Sequence, residues 1–62
     1  MHKNLFIARK ERRMTQEVIA NLINVAPKTY YLKEHGKNDF TLKEAQKLAS
    51  YFKTTVDELF AK

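Results

Sequence analysis

Pro27 is the only proline in the chain, and it restricts the possible folds more than any other residue. Its ring fixes its own φ near the helical value and pushes Ala26 out of the helical region, so a helix starts at Pro27 and cannot run through from before it. Upstream, Ile19, Ala20 and Ile23 fall on one helical stripe. Asn24 stands where a helix ends in a left-handed residue, a place that glycine fills best and asparagine next. The spacing therefore predicts two short helices joined by the corner Asn24-Val25-Ala26, with Val25 turned inward. The second runs over about 27–35 and is closed by Gly36, the only glycine.

The flanking segments are helical too. Leu5, Ala8, Arg9 and Arg12 share a stripe in the first helix, and Arg9 points where the core should be. A cation there either snorkels out or meets a carboxylate on another helix, and Glu34 is the expected partner. Thr15 caps the second helix, with Gln16 and Glu17 in its first turn and Met14 placed to staple onto Ile19. Thr41-Leu42-Lys43-Glu44 is a capping box ahead of the apolar series Ala45, Leu48, Ala49 and Phe52, and Thr55 repeats the device before Val56, Leu59 and Phe60. The reading is all-α: five helices, no strand signal, no repeat.

With 62 residues, one domain over 1–62 with one small core is expected. Chains below about 70–80 residues often need disulfides, a metal or a partner subunit. There is no cysteine, and His2 and His35 lie far apart without thiols nearby, so neither a disulfide nor a metal site is expected, nor any cofactor. That leaves self-association as the reinforcement. The missing cysteine fits a reducing cytoplasm, and no stretch has the apolar length of a signal peptide or a membrane span.

The net charge of +5 is unevenly placed. Lys3, Arg9, Lys10, Arg12 and Arg13 face only Glu11 among the first residues, Lys28, Lys33 and Lys37 follow, and everything from Asp39 onward balances to zero. Such asymmetry points to a polyanion, nucleic acid ahead of an acidic membrane surface, although a merely solvated basic face is about as common. On the helix opened by Pro27, Tyr30 points inward while Lys28 and Leu32 point almost directly away, flanked by Thr29 and Tyr31. Two helices, a three-residue corner and an uncommitted outer face make a helix-turn-helix pattern.

The residues that carry this pattern also resemble a known family. Thr15-Gln16-Glu17, Ile19-Ala20, Ile23, Val25 and Tyr30, with Glu34-His35-Gly36-Lys37 and the closing Thr55-Val-Asp-Glu-Leu-Phe60, are similar to the helix-turn-helix of the Xre family, the phage Cro and lambda-type repressors. The resemblance covers nearly the whole chain. It implies a five-helix lambda-repressor-like DNA-binding domain with the helix-turn-helix at helices two and three. The aromatic-rich stretch 28–45 looks most like small regulators of temperate phages and mobile elements of low-GC bacteria.

Carried over by position, the resemblance implies that Pro27, Lys28, Tyr31 and Leu32 touch bases. Lys28 can donate to guanine O6 or N7, whereas Pro27 and Leu32 offer apolar contact such as to a thymine methyl. Gln16 would contact phosphate, as would Gly36, Lys37 and Asn38 through backbone amides around their turn; apart from the resemblance, Thr29, His35 and, through a snorkelling stem, Lys33 are further candidates for phosphate contact. Arg9 and Glu34 would form an ion pair between helices one and three. Val56, Leu59 and Phe60 are the candidates for a dimer interface; a core role competes for Leu59 and Phe60 and leads for Leu59, which leaves Val56 and Phe60 as the expected interface residues. Three departures stand out: Lys33 where relatives carry a large apolar residue, Ala26 in place of a capping Ser or Thr, and Asn24 in place of Gly.

The function expected is a sequence-specific transcriptional regulator, a repressor or Cro-like switch protein, bound to double-stranded DNA as a homodimer on a palindromic operator. The alternative is an antirepressor or antitoxin-like regulator whose exposed Leu32 and tyrosines bind another protein. An enzyme is disfavoured. There is no Gly-rich phosphate loop or Cys nucleophile, Ser50 has no histidine at helical spacing, and the later carboxylates already serve helix starts.

Overall fold

The computed structural model describes residues 1–61, and among them the regular structure is five helices. They are α1 (Lys3–Glu11), α2 (Gln16–Leu22), α3 (Pro27–Glu34), α4 (Leu42–Tyr51) and α5 (Val56–Leu59). None is long and apolar enough to cross a membrane.

The helix starts follow the capping chemistry. Thr15 and Thr55 accept bonds from the amides of Val18 and Glu58, and Thr41 with Glu44 closes a reciprocal capping box. Ala26 supplies no side-chain cap to α3, which relies on Pro27 at its first position.

The helix ends share one device. After each of α1 to α4 a residue with positive φ turns the chain: Arg13 (54°), Asn24 (60°), Gly36 (80°) and Lys53 (56°). In each case the amide of the following residue reaches back to a carbonyl in the last turn, as in Met14 N to Arg9 O (3.0 Å) and Thr54 N to Ala49 O (2.9 Å). Asn24 and Gly36 were legible as such turns. Arg13 and Lys53 were not, because long side chains rarely take this conformation and nothing local marks them.

The apolar stripes meet in one cluster of Leu5, Ile19, Ala20, Ile23, Tyr30, Leu48, Ala49 and Leu59. Met14 and Val25 pack against it, half-buried. Ala20 is fully buried, and its small side chain lets α2 and α3 lie close. Phe40, from the segment between α3 and α4, sets its ring 5.2 Å from Phe60, 5.4 Å from His2 and 6.2 Å from Tyr30. The His2 amide donates to Glu34 O at 2.9 Å, tying the residues before α1 to the end of α3.

Candidate nucleic-acid interface

α3 is divided lengthwise. Tyr30, Lys33 and Glu34 are buried, whereas Pro27, Lys28 and Tyr31 are exposed and Thr29, Leu32 and His35 are half-buried. A helix of about 10–12 Å across fits a major groove about 12 Å wide only if one long face is free, and Pro27, Lys28 and Tyr31 lie on that face.

The inner face is fixed by charge as well as by packing. Arg9 donates to Glu34 through Nε to Oε2 (2.9 Å) and through its second terminal nitrogen to Oε1 (3.2 Å), a two-pronged pair. Its other terminal nitrogen donates to the Met14 carbonyl at 2.9 Å. The Tyr30 hydroxyl donates to Glu34 Oε2 at 2.6 Å. One arginine thus joins α1, the turn before α2, and α3. Burial, with the bond to Glu34, pushes the Tyr30 phenol far above its usual range, so it remains a neutral donor. The hydrogen bond to Glu34 outweighs burial at Arg9 and holds the guanidinium charged.

Lys33 requires a correction. It was expected to reach a phosphate, but only 9% of it is exposed, and its Nζ lies 2.6 Å from Glu44 Oε1. Glu44 was read only as half of the capping box, and its same Oε1 accepts the Thr41 amide at 2.9 Å. The signal in the sequence was the pairing itself: a lysine on an inward stripe needs a carboxylate, and Glu44 opens the next helix. Burial alone would raise the Glu44 carboxyl; the bonds from Lys33 and Thr41 overcome this and hold it below its ordinary value.

The Gly36 turn also differs from expectation. The amides of Gly36, Lys37 and Asn38 were expected to hold phosphate, yet they donate to Lys33 O (3.1 Å), Leu32 O (2.9 Å) and Leu32 O (3.3 Å). Closing α3 consumes these donors, which leaves the exposed side chains of Lys37 and Asn38 as the groups that can meet a phosphate there. Gln16 is half-buried at the first position of α2, where helix amides lack an intrahelical acceptor and favour an anion.

Leu32 was expected on the fully open face and is half-buried, which leaves Tyr31 as the large outward side chain of α3. Tyr31 rests its ring 4.1 Å from that of His35, one turn on. Val56 and Phe60, expected in a dimer interface, are half-buried and packed on the core, and Phe60 also meets the His2 ring at 5.3 Å. Each packs on the core with part of its side chain and leaves the rest at the surface.

Among the exposed cations, Lys3, Lys10, Arg12, Arg13, Lys28 and Lys37 belong to the first 38 residues, where acids do not offset them, whereas Lys43, Lys47 and Lys53 lie in the stretch where charges balance. No group of three or more His, Cys, Asp or Glu side chains fit to hold a metal occurs among the described residues. Comparison with curated proteins and with solved structures gives no match. A family model described as Helix-turn-helix matches residues 5–59, a span that includes every helix core described above. The chain belongs to this helix-turn-helix family, the Xre and lambda-repressor type, and is a DNA-binding regulator of that fold.

Proposed function

We propose that the protein is a sequence-specific transcriptional repressor or Cro-like switch protein that reads an operator with α3. The observation that carries this reading is the split of α3. Its inner side is locked by Tyr30, Glu34 and Lys33, and its outer side presents Pro27, Lys28 and Tyr31 to solvent. Lys28 is the charged donor of that face and suits guanine O6 and N7. Pro27, the Tyr31 ring and the exposed part of Leu32 suit thymine methyls. Gln16 at the start of α2, with the side chains of Thr29, His35, Lys37 and Asn38, would fix the register on phosphates. A single module of this size covers a half-site, so the operator is a palindrome bound by two copies about one helical turn apart, joined through the α4–α5 end where Val56 and Phe60 are partly exposed.

The alternative, a regulator that binds a protein through α3, rests on Tyr31, which is 43% exposed. Its second support, Leu32, is half-buried, so the apolar patch is smaller than that reading needs. Selection of duplexes from a random pool, followed by mobility shift, decides between them. A defined motif supports operator reading; no retained duplex at low salt contradicts it.

A further inference from the structure

We propose that Lys33 and Glu44 are positioning residues for DNA binding, their ion pair fixing the segment 35–40 so that Lys37 and Asn38 meet the backbone while α3 lies in the groove. The proposal rests on the DNA-reading role of α3 above.

One oxygen atom holds both ends of this segment. Glu44 Oε1 accepts from Lys33 Nζ (2.6 Å), in the last turn of α3, and from the Thr41 amide (2.9 Å), at the cap of α4. The cap is closed in return by the Glu44 amide on Thr41 Oγ1 at 3.1 Å. Between these ends, the amides of Gly36, Lys37 and Asn38 are bound to the carbonyls of Lys33 and Leu32, and the Phe40 ring lies 5.9 Å from Lys33 Nζ. The whole connection is thus pinned at its start, its middle and its end. Lys33 is nearly enclosed and Glu44 is about as well shielded, with side-chain exposures of 11% and 15%. The pair adds no net charge to the surface that faces DNA, so any influence on binding comes through geometry. A site must hold its contacting groups to within about 0.5 Å for full effect.

The test compares Lys33→Met and Glu44→Gln with the unaltered chain. Each is titrated over a range of salt against the duplex selected from a random pool, after thermal unfolding has shown that the variant is folded at the assay temperature. Lys33→Met keeps an unbranched stem of similar length, and Glu44→Gln keeps an oxygen for the Thr41 amide. The expected result is about tenfold weaker binding for each, no further loss in the double variant, and a slope of log affinity on log salt lowered alike in both variants, by up to about 0.9, as Lys37 leaves its phosphate. The Glu44→Gln arm is the sharper one, because removing an acid from a DNA-binding surface ordinarily tightens binding. Tighter or unchanged binding by Glu44→Gln overturns the proposal. So does a slope reduced by about 0.9 in Lys33→Met but unchanged in Glu44→Gln, which would make Lys33 itself a phosphate contact. If a variant fails to fold, acid titration of the unaltered chain by nuclear magnetic resonance takes its place. The Thr41, Lys37 and Asn38 amide signals must move with the Glu44 carboxyl; Lys37 and Asn38 signals that stay still overturn the proposal. Failure of the unaltered chain to bind any duplex overturns the operator reading, and this inference with it.

Discussion

Arg9 Nε and Glu34 Oε2 meet 2.9 Å apart inside the protein, with side-chain exposures of 5% and 0%. Twenty-five positions separate the two residues, and their pairing fixes α3 against α1. Removing one partner of such a pair leaves a buried charge uncompensated, which costs about 3–5 kcal/mol. Glu34→Ala is therefore expected to leave a domain of this size largely unfolded, as read by urea denaturation followed by circular dichroism. A loss below about 1 kcal/mol would mean that the guanidinium finds water or another acceptor.

Tyr30→Phe isolates the third member of the cluster. The ring still fills the core, but Glu34 Oε2 loses the hydroxyl that donates to it at 2.6 Å. A hydrogen bond to a charged group is worth about 1.5–3 kcal/mol, so the urea midpoint should fall accordingly with no change in the slope of the transition.

The legible parts of the fold were those set by local rules. Pro27, Asn24, Gly36 and the three threonine caps each fix a boundary through their own backbone or side chain, and the structure starts and stops its helices there. Arg9 stood out because a cation on an apolar stripe needs a partner. The same reasoning applied to Lys33 would have led to Glu44, but the capping box already accounted for Glu44 and hid its second role. The amides of the Gly36 turn were misread for a related reason. A helix end has unsatisfied carbonyls as well as a turn, and the carbonyl of Leu32 takes the donors assigned to phosphate. Leu32 itself is covered more than a helical wheel allows, which reflects tertiary packing that no local rule encodes.

Acid should loosen the α3–α4 connection. The Glu44 carboxyl is held below its ordinary value of 4.5, so the folded state favours the ionised form. The resulting stabilisation is fully present above that ordinary value and is lost as pH falls through the lower folded value. In Glu44→Gln this part of the acid limb of a stability-versus-pH profile should flatten, while stability near neutral pH drops. An unchanged acid limb would show that the Glu44 carboxyl titrates alike in the folded and unfolded chain.

Lys53 offers a stabilising change. It holds φ at 56° at the end of α4, a conformation that costs a residue with a Cβ about 1–2 kcal/mol, part of which the extra freedom of an unfolded glycine offsets. Lys53→Gly is expected to raise stability by about 0.5–1 kcal/mol, or roughly 4–8 °C in Tm per kcal/mol for a domain this small. A lower Tm would show that the lysine side chain contributes more than its backbone costs.

Base reading by the outer face of α3 stands or falls at Lys28, its charged donor. Lys28→Ala and the unaltered chain should be titrated side by side against the duplex selected from a random pool, against its single-base-pair variants, and against unrelated DNA. Lys28→Ala is expected to lose about 1–3 kcal/mol on the selected duplex, with preference relaxed at one base pair and little change on unrelated DNA. An equal loss on every duplex, with the salt slope lowered by about 0.9, would make Lys28 a phosphate contact and contradict base reading by α3.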